Sequence, residues 1–248
     1  MNKMDKETND TRPFHFKQFS LFHHRSTMKT GTDAILLGIW TDVSNTKEIL
    51  DVGSGSGILS LFMASRSESN ITAIDIDKES VIESDENFTK SDFSSRLKVI
   101  ESDFNDFSVS SESKFDLIVS NPPFFTNGLH SANSRKTKAR HADNFTFNQL
   151  CCGVSKLLNK NGRFCVVIPY SQYQDFCLAA NQNALFTNRK LLIFSRRGLE
   201  PNRINIEFRK TKPNIIKKEY FILREEDNKF SAQYHKTLGD YYLSIPEQ

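Results

Sequence analysis

The sequence predicts an α/β protein, a doubly wound and mostly parallel sheet entered through a short N-terminal arm. Three observations carry that prediction. Short apolar runs alternate with segments of helical spacing from residue 48 onward, the order of successive βα units. The first run opens straight into a glycine-rich loop and then a helix, the unit that builds nucleotide sites at a sheet edge. The last third turns to strand-like runs at 190–195, 203–209 and 220–224, where Ile204-Asn205-Ile206-Glu207-Phe208 alternates as an antiparallel strand does.

The first dozen residues are polar, and Phe14-His15-Phe16-Lys17-Gln18-Phe19 then alternates aromatic and polar side chains, the pattern of a short strand or extended arm. Residues 34–40 read as a helix with Thr32 or Asp33 as its N-cap. The pair His23-His24 has no third ligand in view, so it reads as a solvated loop and no metal is expected. The strand at 48–52 leads through Gly53-Ser54-Gly55-Ser56-Gly57 into a helix at 58–64. A second strand at 71–74 ends at Asp75, and a helix at 78–90 is expected to turn Val81, Ile82 and Phe88 inward. A third strand at 97–100 leads to Asp103-Phe104, and a fourth at 115–120 leads to Asn121-Pro122-Pro123-Phe124. Phe147, Leu150, Cys151, Val154, Leu157 and Leu158 form one apolar helical stripe. Asn161-Gly162 reads as its end, with a strand at 163–168 beyond. Ser171 and Gln174 have the form of a capping box before a helix lined by Tyr173, Phe176, Cys177 and Ala180. No repeat or linker divides the chain. The expected organisation is an arm and helix over 1–45 packed on one domain over 46–248.

Composition narrows the class. The 248 residues suffice for a sizeable core, and a net charge of +3 does not by itself demand a polyanionic partner. The four cysteines form no C-x-x-C pair and sit in apolar surroundings, so they read as reduced core residues. No apolar run spans a bilayer, and the opening Met1-Asn2-Lys3-Met4-Asp5-Lys6-Glu7 lacks the apolar stretch of a signal peptide. A cytoplasmic protein without membrane contact, a monomer or weak dimer, is the expectation.

The chemistry gathers at the ends of the predicted strands. In the loop after Asp51, the glycines Gly53, Gly55 and Gly57 permit a tight turn and close approach of a ligand. The third glycine comes one residue too early for G-x-G-x-x-G, where Ile58 stands instead, which counts against a dinucleotide. A carboxylate at Asp51 suits a cationic group such as an ammonium or a sulfonium, not a phosphate. Asp75 follows the loop by about twenty residues, the spacing of a carboxylate that binds ribose hydroxyls. Asp103 taken alone is a turn or cap residue. As the third carboxylate at successive strand ends it is also a candidate acceptor for an adenine amine, with Phe104 covering the ring. In Asn121-Pro122-Pro123-Phe124, the Asn121 amide oxygen and the Pro122 carbonyl can each accept from an exocyclic amine, while Phe124 offers a stacking face. The segment that follows carries Arg135, Lys136, Lys138 and Arg140, either a solvated loop or a phosphate grip.

The strand and loop at 50–57, with Asp75, Asp103 and the Asn-Pro-Pro-Phe turn, resemble the class I S-adenosylmethionine-dependent methyltransferases, and among them the amino-group methylators. Phe16-Lys17-Gln18-Phe19, the stretch 28–38 and the ending 234–243 look like the bacterial tRNA(Val) adenine-N6 methyltransferase family. The resemblance covers nearly the whole chain. It implies a Rossmann-like seven-stranded sheet with the last strand antiparallel, S-adenosyl-L-methionine as cofactor and tRNA as partner. Asn121, Pro122 and Phe124 would then be catalytic. Asp51, Gly53, Gly55, Gly57, Asp75, Asp103 and Phe104 would bind the cofactor. One departure is Phe124, where many members carry Tyr. Glutamine-N5 methylation of a protein, guanine-N2 methylation of rRNA, and RNA binding without catalysis are the alternatives left by the residues alone.

Overall fold

Central strands that are apolar on both faces need a helical layer on each side, and the sheet has both. The computed structural model describes residues 12–26, 31–122 and 146–243. The chain runs through β1 (Phe14–His15), β2 (Ser20–Leu21), α1 (Thr32–Trp40), β3 (Glu48–Val52), α2 (Ile58–Ala64), β4 (Asn70–Asp75) and α3 (Lys78–Thr89). It continues through β5 (Leu97–Glu101), α4 (Phe104–Ser110), β6 (Phe115–Ser120), α5 (Phe147–Leu157) and β7 (Leu158–Pro169). The last part holds α6 (Tyr173–Gln182), β8 (Phe186–Phe194), β9 (Arg203–Arg209), β10 (Lys217–Ile222) and α7 (Ala232–Leu238).

The large sheet has eight strands in the order β10-β8-β9-β7-β6-β3-β4-β5. One more strand is present than expected, and the last is not the reversed one. The antiparallel strand is β9, paired with both β7 and β8, while β10 joins the edge parallel to β8. Alternate residues feed opposite cores. Ile49, Leu117, Val119 and Val167 meet α1, α2 and α7 on one face, and Leu50, Ile118, Phe164 and Val166 meet α5 and α6 on the other. The alternation in β9 does not separate core from solvent, because Asn205 and Glu207 are as buried as the isoleucines between them. Glu207 lies 3.3 Å from Arg189, a paired buried charge.

Four local expectations change. Gly31, not Thr32 or Asp33, is the N-cap of α1, and the Asp33 carboxylate instead accepts from Arg203 Nε at 2.7 Å. α5 stops at Leu157, so Asn161-Gly162 lies inside β7. A Cβ on Gly162 would sit 2.8 Å from the Leu158 side chain, so glycine marks a close approach in a strand, not a helix end. The capping box is at Thr146 and Gln149 of α5, and α6 begins at Tyr173 after a short 3-10 turn, without one at Ser171. Of the cysteines, Cys152 is exposed.

The largest correction concerns α3. Val81 and Ile82 are only half-buried, while Ser80, Glu83, Ser84, Asn87 and Phe88 form the buried face. Glu83 accepts from the backbone N–H groups of His24, Arg25 and Ser26 at 2.7, 2.8 and 2.9 Å. Asn87 accepts from Phe22 N–H and donates to the carbonyls of Phe22 and Ser56, each at 2.8 Å. The arm before α1 is therefore held by carboxylate and amide bonds from α3. Its β1-β2 hairpin packs Phe16 and Phe19 on Phe62 of α2.

Candidate active site

The glycine loop leaves β3 beside the exit of β6, because Val52 pairs with Ser120 in the register of the two strands. Gly53 and Asn121 thus begin adjacent exits about 5 Å apart across the sheet. Ser120 Oγ donates to the Val52 carbonyl at 2.9 Å and joins the exits.

The loop itself is held from three sides. Gly53 and Ser54 donate their N–H groups to the Ile74 carbonyl at 2.9 and 3.1 Å. Gly55 donates to Asp75 Oδ2 at 2.8 Å, and Asp75 Oδ1 accepts from Asp77 N–H at 2.9 Å. Ser84 of α3 donates to the Gly55 carbonyl at 2.6 Å. Gly57 has φ +81°, and a Cβ there would lie 2.5 Å from the Phe88 ring. Gly53 and Gly55 also have positive φ, but a Cβ on either would meet nothing within 4 Å. The loop is therefore packed behind and open in front, where a ligand can lie against its backbone.

Asp51 is fully buried. Its Oδ2 accepts from Ser60 N–H at 3.1 Å and Ser60 Oγ at 2.7 Å, while Oδ1 has no partner. Burial pushes this carboxyl up to about 7, opposed by the two Ser60 bonds and aided by the charge of Asp75. Asp75 is also raised, by burial first, against the N–H bonds from Asp77 and Gly55. Two carboxylates share a poorly solvated region beside an open loop, a setting that favours a positive group.

Two further atoms at this edge lack partners. Ser54 Oγ and Asn121 Oδ1 are both buried and accept or donate nothing. Buried polar atoms without partners are uncommon, and at the exit of a strand beside an open loop they leave hydrogen bonds that a ligand can complete. With Asp51 Oδ1 they make three at the ends of β3 and β6. The residues present fit S-adenosylmethionine on this ground: an orphaned carboxylate oxygen for a cationic end, and a glycine cradle with space before it.

Asp103 is the N-cap of α4, its Oδ1 accepting from Asn105 N–H at 2.7 Å, so the cap role read from the sequence is present. Phe104 is 7 % exposed, with its ring against Gly153 inside the second core cluster. Pro122 is buried. Phe124, Arg135, Lys136, Lys138 and Arg140 lie outside the described residues. The residues that sequence reasoning misses are Ser60, Ser84, Glu83, Asn87 and Ser120, all of which fix the loop, the arm or the strand exits. The polar stripe of α3 is legible in principle, since 80, 83, 84 and 87 fall on one helical face. Among the described residues no cluster of three or more His, Cys, Asp or Glu could hold a metal ion, and no helix is long and apolar enough to cross a membrane.

The family profile for the methyltransferase small domain matches residues 18–192. The tRNA1(Val) (adenine(37)-N6)-methyltransferase of Bacteroides fragilis is 38% identical over 233 residues, covering 94% of this chain and 98% of that protein. The protein of the same name from Photorhabdus laumondii is 35% identical, covering 93% and 95%. Among solved structures, a predicted O-methyltransferase from Agrobacterium tumefaciens superposes with a TM-score of 0.64 at 17% identity, covering 88% of this chain and all of that one. That similarity speaks to the fold alone.

Proposed function

The chain belongs to the methyltransferase small domain family, with relatives named tRNA1(Val) (adenine(37)-N6)-methyltransferases, and from that premise we propose that it methylates the exocyclic amine of an adenine in tRNA, beside the anticodon of a valine tRNA. S-adenosylmethionine, when bound, supplies an electrophilic methyl group on a sulfonium. The observation that carries the reading is the unpartnered Asn121 Oδ1 at the strand exit beside the glycine loop.

An adenine amine is a weak nucleophile because its lone pair is delocalised into the ring. Asn121 Oδ1 and the Pro122 carbonyl accept its two N–H bonds and favour a pyramidal nitrogen. Pro122 has no N–H of its own to compete, and proline fixes the backbone before the base arrives. Acceleration then comes from position and preorganised dipoles. A base is not required before transfer, because the amine proton becomes acidic only once the nitrogen has been alkylated. Asp51 would hold the cationic end of the cofactor, Asp75 its ribose, and the second oxygen of Asp103 its adenine. Phe124 offers the stacking face for the target base, and Arg135, Lys136, Lys138 and Arg140 grip phosphates. The target must leave its stack or lie in a loop, a condition an anticodon loop meets.

The test is transfer of labelled methyl from S-adenosylmethionine to a tRNA(Val) transcript, followed by nucleoside mass spectrometry. N6-methyladenosine at the position next to the anticodon is expected. Label that appears only in protein or in rRNA guanine would reject this substrate.

A further inference from the structure

The outer strands of the sheet carry a surface that the reaction site does not use. Phe221 of β10 packs into the core with Tyr234 and Leu238 of α7. Tyr220, one residue earlier, points to the opposite face and is 53% exposed. On that face Lys218 pairs in register with Lys190 of β8, and Tyr220 with Leu192. Two lysines thus stand side by side on neighbouring strands. Like charges in that arrangement oppose each other, and neither has an ion pair with a carboxylate among the described residues. Both are instead held against aromatic rings. Lys190 Nζ lies 4.9 Å from the centre of the Tyr173 ring and donates to its hydroxyl at 3.1 Å. Lys218 Nζ lies 5.0 Å from the Tyr220 ring. Tyr170 stacks parallel to Tyr173 at 6.1 Å, and Phe194 lies 6.4 Å from Tyr220.

The patch begins where the reaction site ends. Tyr170 follows Pro169 at the end of β7, and β7 is the neighbour of β6, which leads into Asn121. From β7 across β9 and β8 to β10 is about 14 Å of sheet at ordinary strand spacing. Lys218 and Tyr220 are exposed and Tyr170, Tyr173, Lys190 and Phe194 half-buried, and rings interleaved with ammonium groups suit bases and phosphates of an unpaired strand. We propose that Tyr170, Tyr173, Lys190, Phe194, Lys218 and Tyr220 form a stacking platform for about two or three unpaired nucleotides flanking the target base. A second copy of the chain would bury the rings but leave the two lysines facing each other without an anion. The uncompensated positive charge therefore selects RNA. The inference rests on the proposed RNA substrate and extends it to the nucleotides beyond the reacting one.

The test uses the full chain, a fluorescein-labelled single-stranded oligoribonucleotide and a tRNA(Val) transcript, with affinity read by anisotropy. Tyr220→Ala should weaken both by about 5- to 150-fold, the range for loss of one base-stacking ring, while Tyr220→Phe binds as wild type. Lys218→Ala should reduce the slope of log affinity against log salt by about 0.7 on the single strand. S-adenosylmethionine affinity by calorimetry should not move in any of the three. In methyl transfer, Tyr220→Ala should raise KM for tRNA and leave kcat in place. Unchanged RNA affinity in Tyr220→Ala together with Tyr173→Ala would overturn the platform, as would a change in sedimentation of the free protein pointing to a face between copies. If wild type methylates no tRNA yet loses single-strand binding through Tyr220→Ala, the platform stands and the proposed reaction falls. Normal methylation with unchanged KM in that variant leaves the reaction standing and removes the platform.

Discussion

Asp51→Asn isolates the electrostatics of the cofactor site. In the folded protein this carboxyl holds its proton up to about 7, while in the unfolded chain it releases it near the ordinary value of 3.8. Between those values the folded state binds one proton more than the unfolded state, so stability falls as pH rises. The contribution is fully present below about pH 4 and lost through pH 7. From pH 5 to pH 8 the loss at this residue amounts to about 3 kcal/mol, two pH units at about 1.4 kcal/mol each. Asparagine does not titrate. Its amide oxygen can replace Oδ2 as acceptor for Ser60, and its NH₂ then occupies the place of the unpartnered Oδ1. Urea denaturation of both proteins without cofactor, at pH 5 and pH 8, should show the gap between them shift by about 3 kcal/mol in favour of the variant at the higher pH. Cofactor binding should move the other way. A cation opposite Asp51 favours the ionised form, so wild-type affinity should tighten up to about pH 7 and then level. Calorimetry in buffers of different ionisation enthalpy should detect proton release at pH 6, and the variant should bind weakly with no such release. Parallel stability curves at the two pH values, together with pH-independent wild-type binding, would refute the electrostatic argument.

Three other substitutions test separate parts of the site. Asn121→Ala should keep S-adenosylmethionine affinity within a factor of two or so while methyl transfer falls by about two to three orders of magnitude; single-turnover kinetics measure it, and unchanged turnover removes the residue from the mechanism. Gly57→Ala meets both a left-handed backbone and the Phe88 ring at 2.5 Å, so a loss of at least about 2 kcal/mol is expected by chemical denaturation. A variant as stable as wild type would mean the loop and α3 can separate freely. Glu83→Ala strips the acceptor from three backbone N–H groups of the arm. Accelerated amide exchange at residues 24–26 and a stability loss of about 2–5 kcal/mol should follow, whereas unchanged protection there would show that the aromatic hairpin alone holds the arm.

The inner sheet is readable because its signals are local. β3, the glycine loop and α2 follow one another without interruption, β4 ends at Asp75, and β5 and β6 lead on to Asp103 and Asn121. What escapes depends on distant partners. Nothing near Glu83 says that its carboxylate will be sealed under residues 24–26, about sixty positions away. Helical patterning that seeks apolar residues chooses Val81 and Ile82, yet Glu83, Ser84 and Asn87 of α3 meet backbone groups of the arm and loop, and these require polar side chains. Asn161-Gly162 misleads for a related reason. Glycine there answers to the side chain of Leu158, not to a helix terminus. The reversed strand β9 is the run 203–209 that alternation marks as antiparallel, whereas the eighth strand lies beyond periodicity, since strand order is settled by packing between segments and not within them.

Residue 87 ties the seat of the arm to the shape of the glycine loop. A lone amide bonded to both Phe22 and Ser56 makes two remote stretches of chain report on each other. Displacing the arm by the length of one bond would pull on the same side chain that holds the Ser56 carbonyl, so the seat of the arm and the shape of the turn are linked. By reciprocity, whatever steadies the turn also steadies the arm.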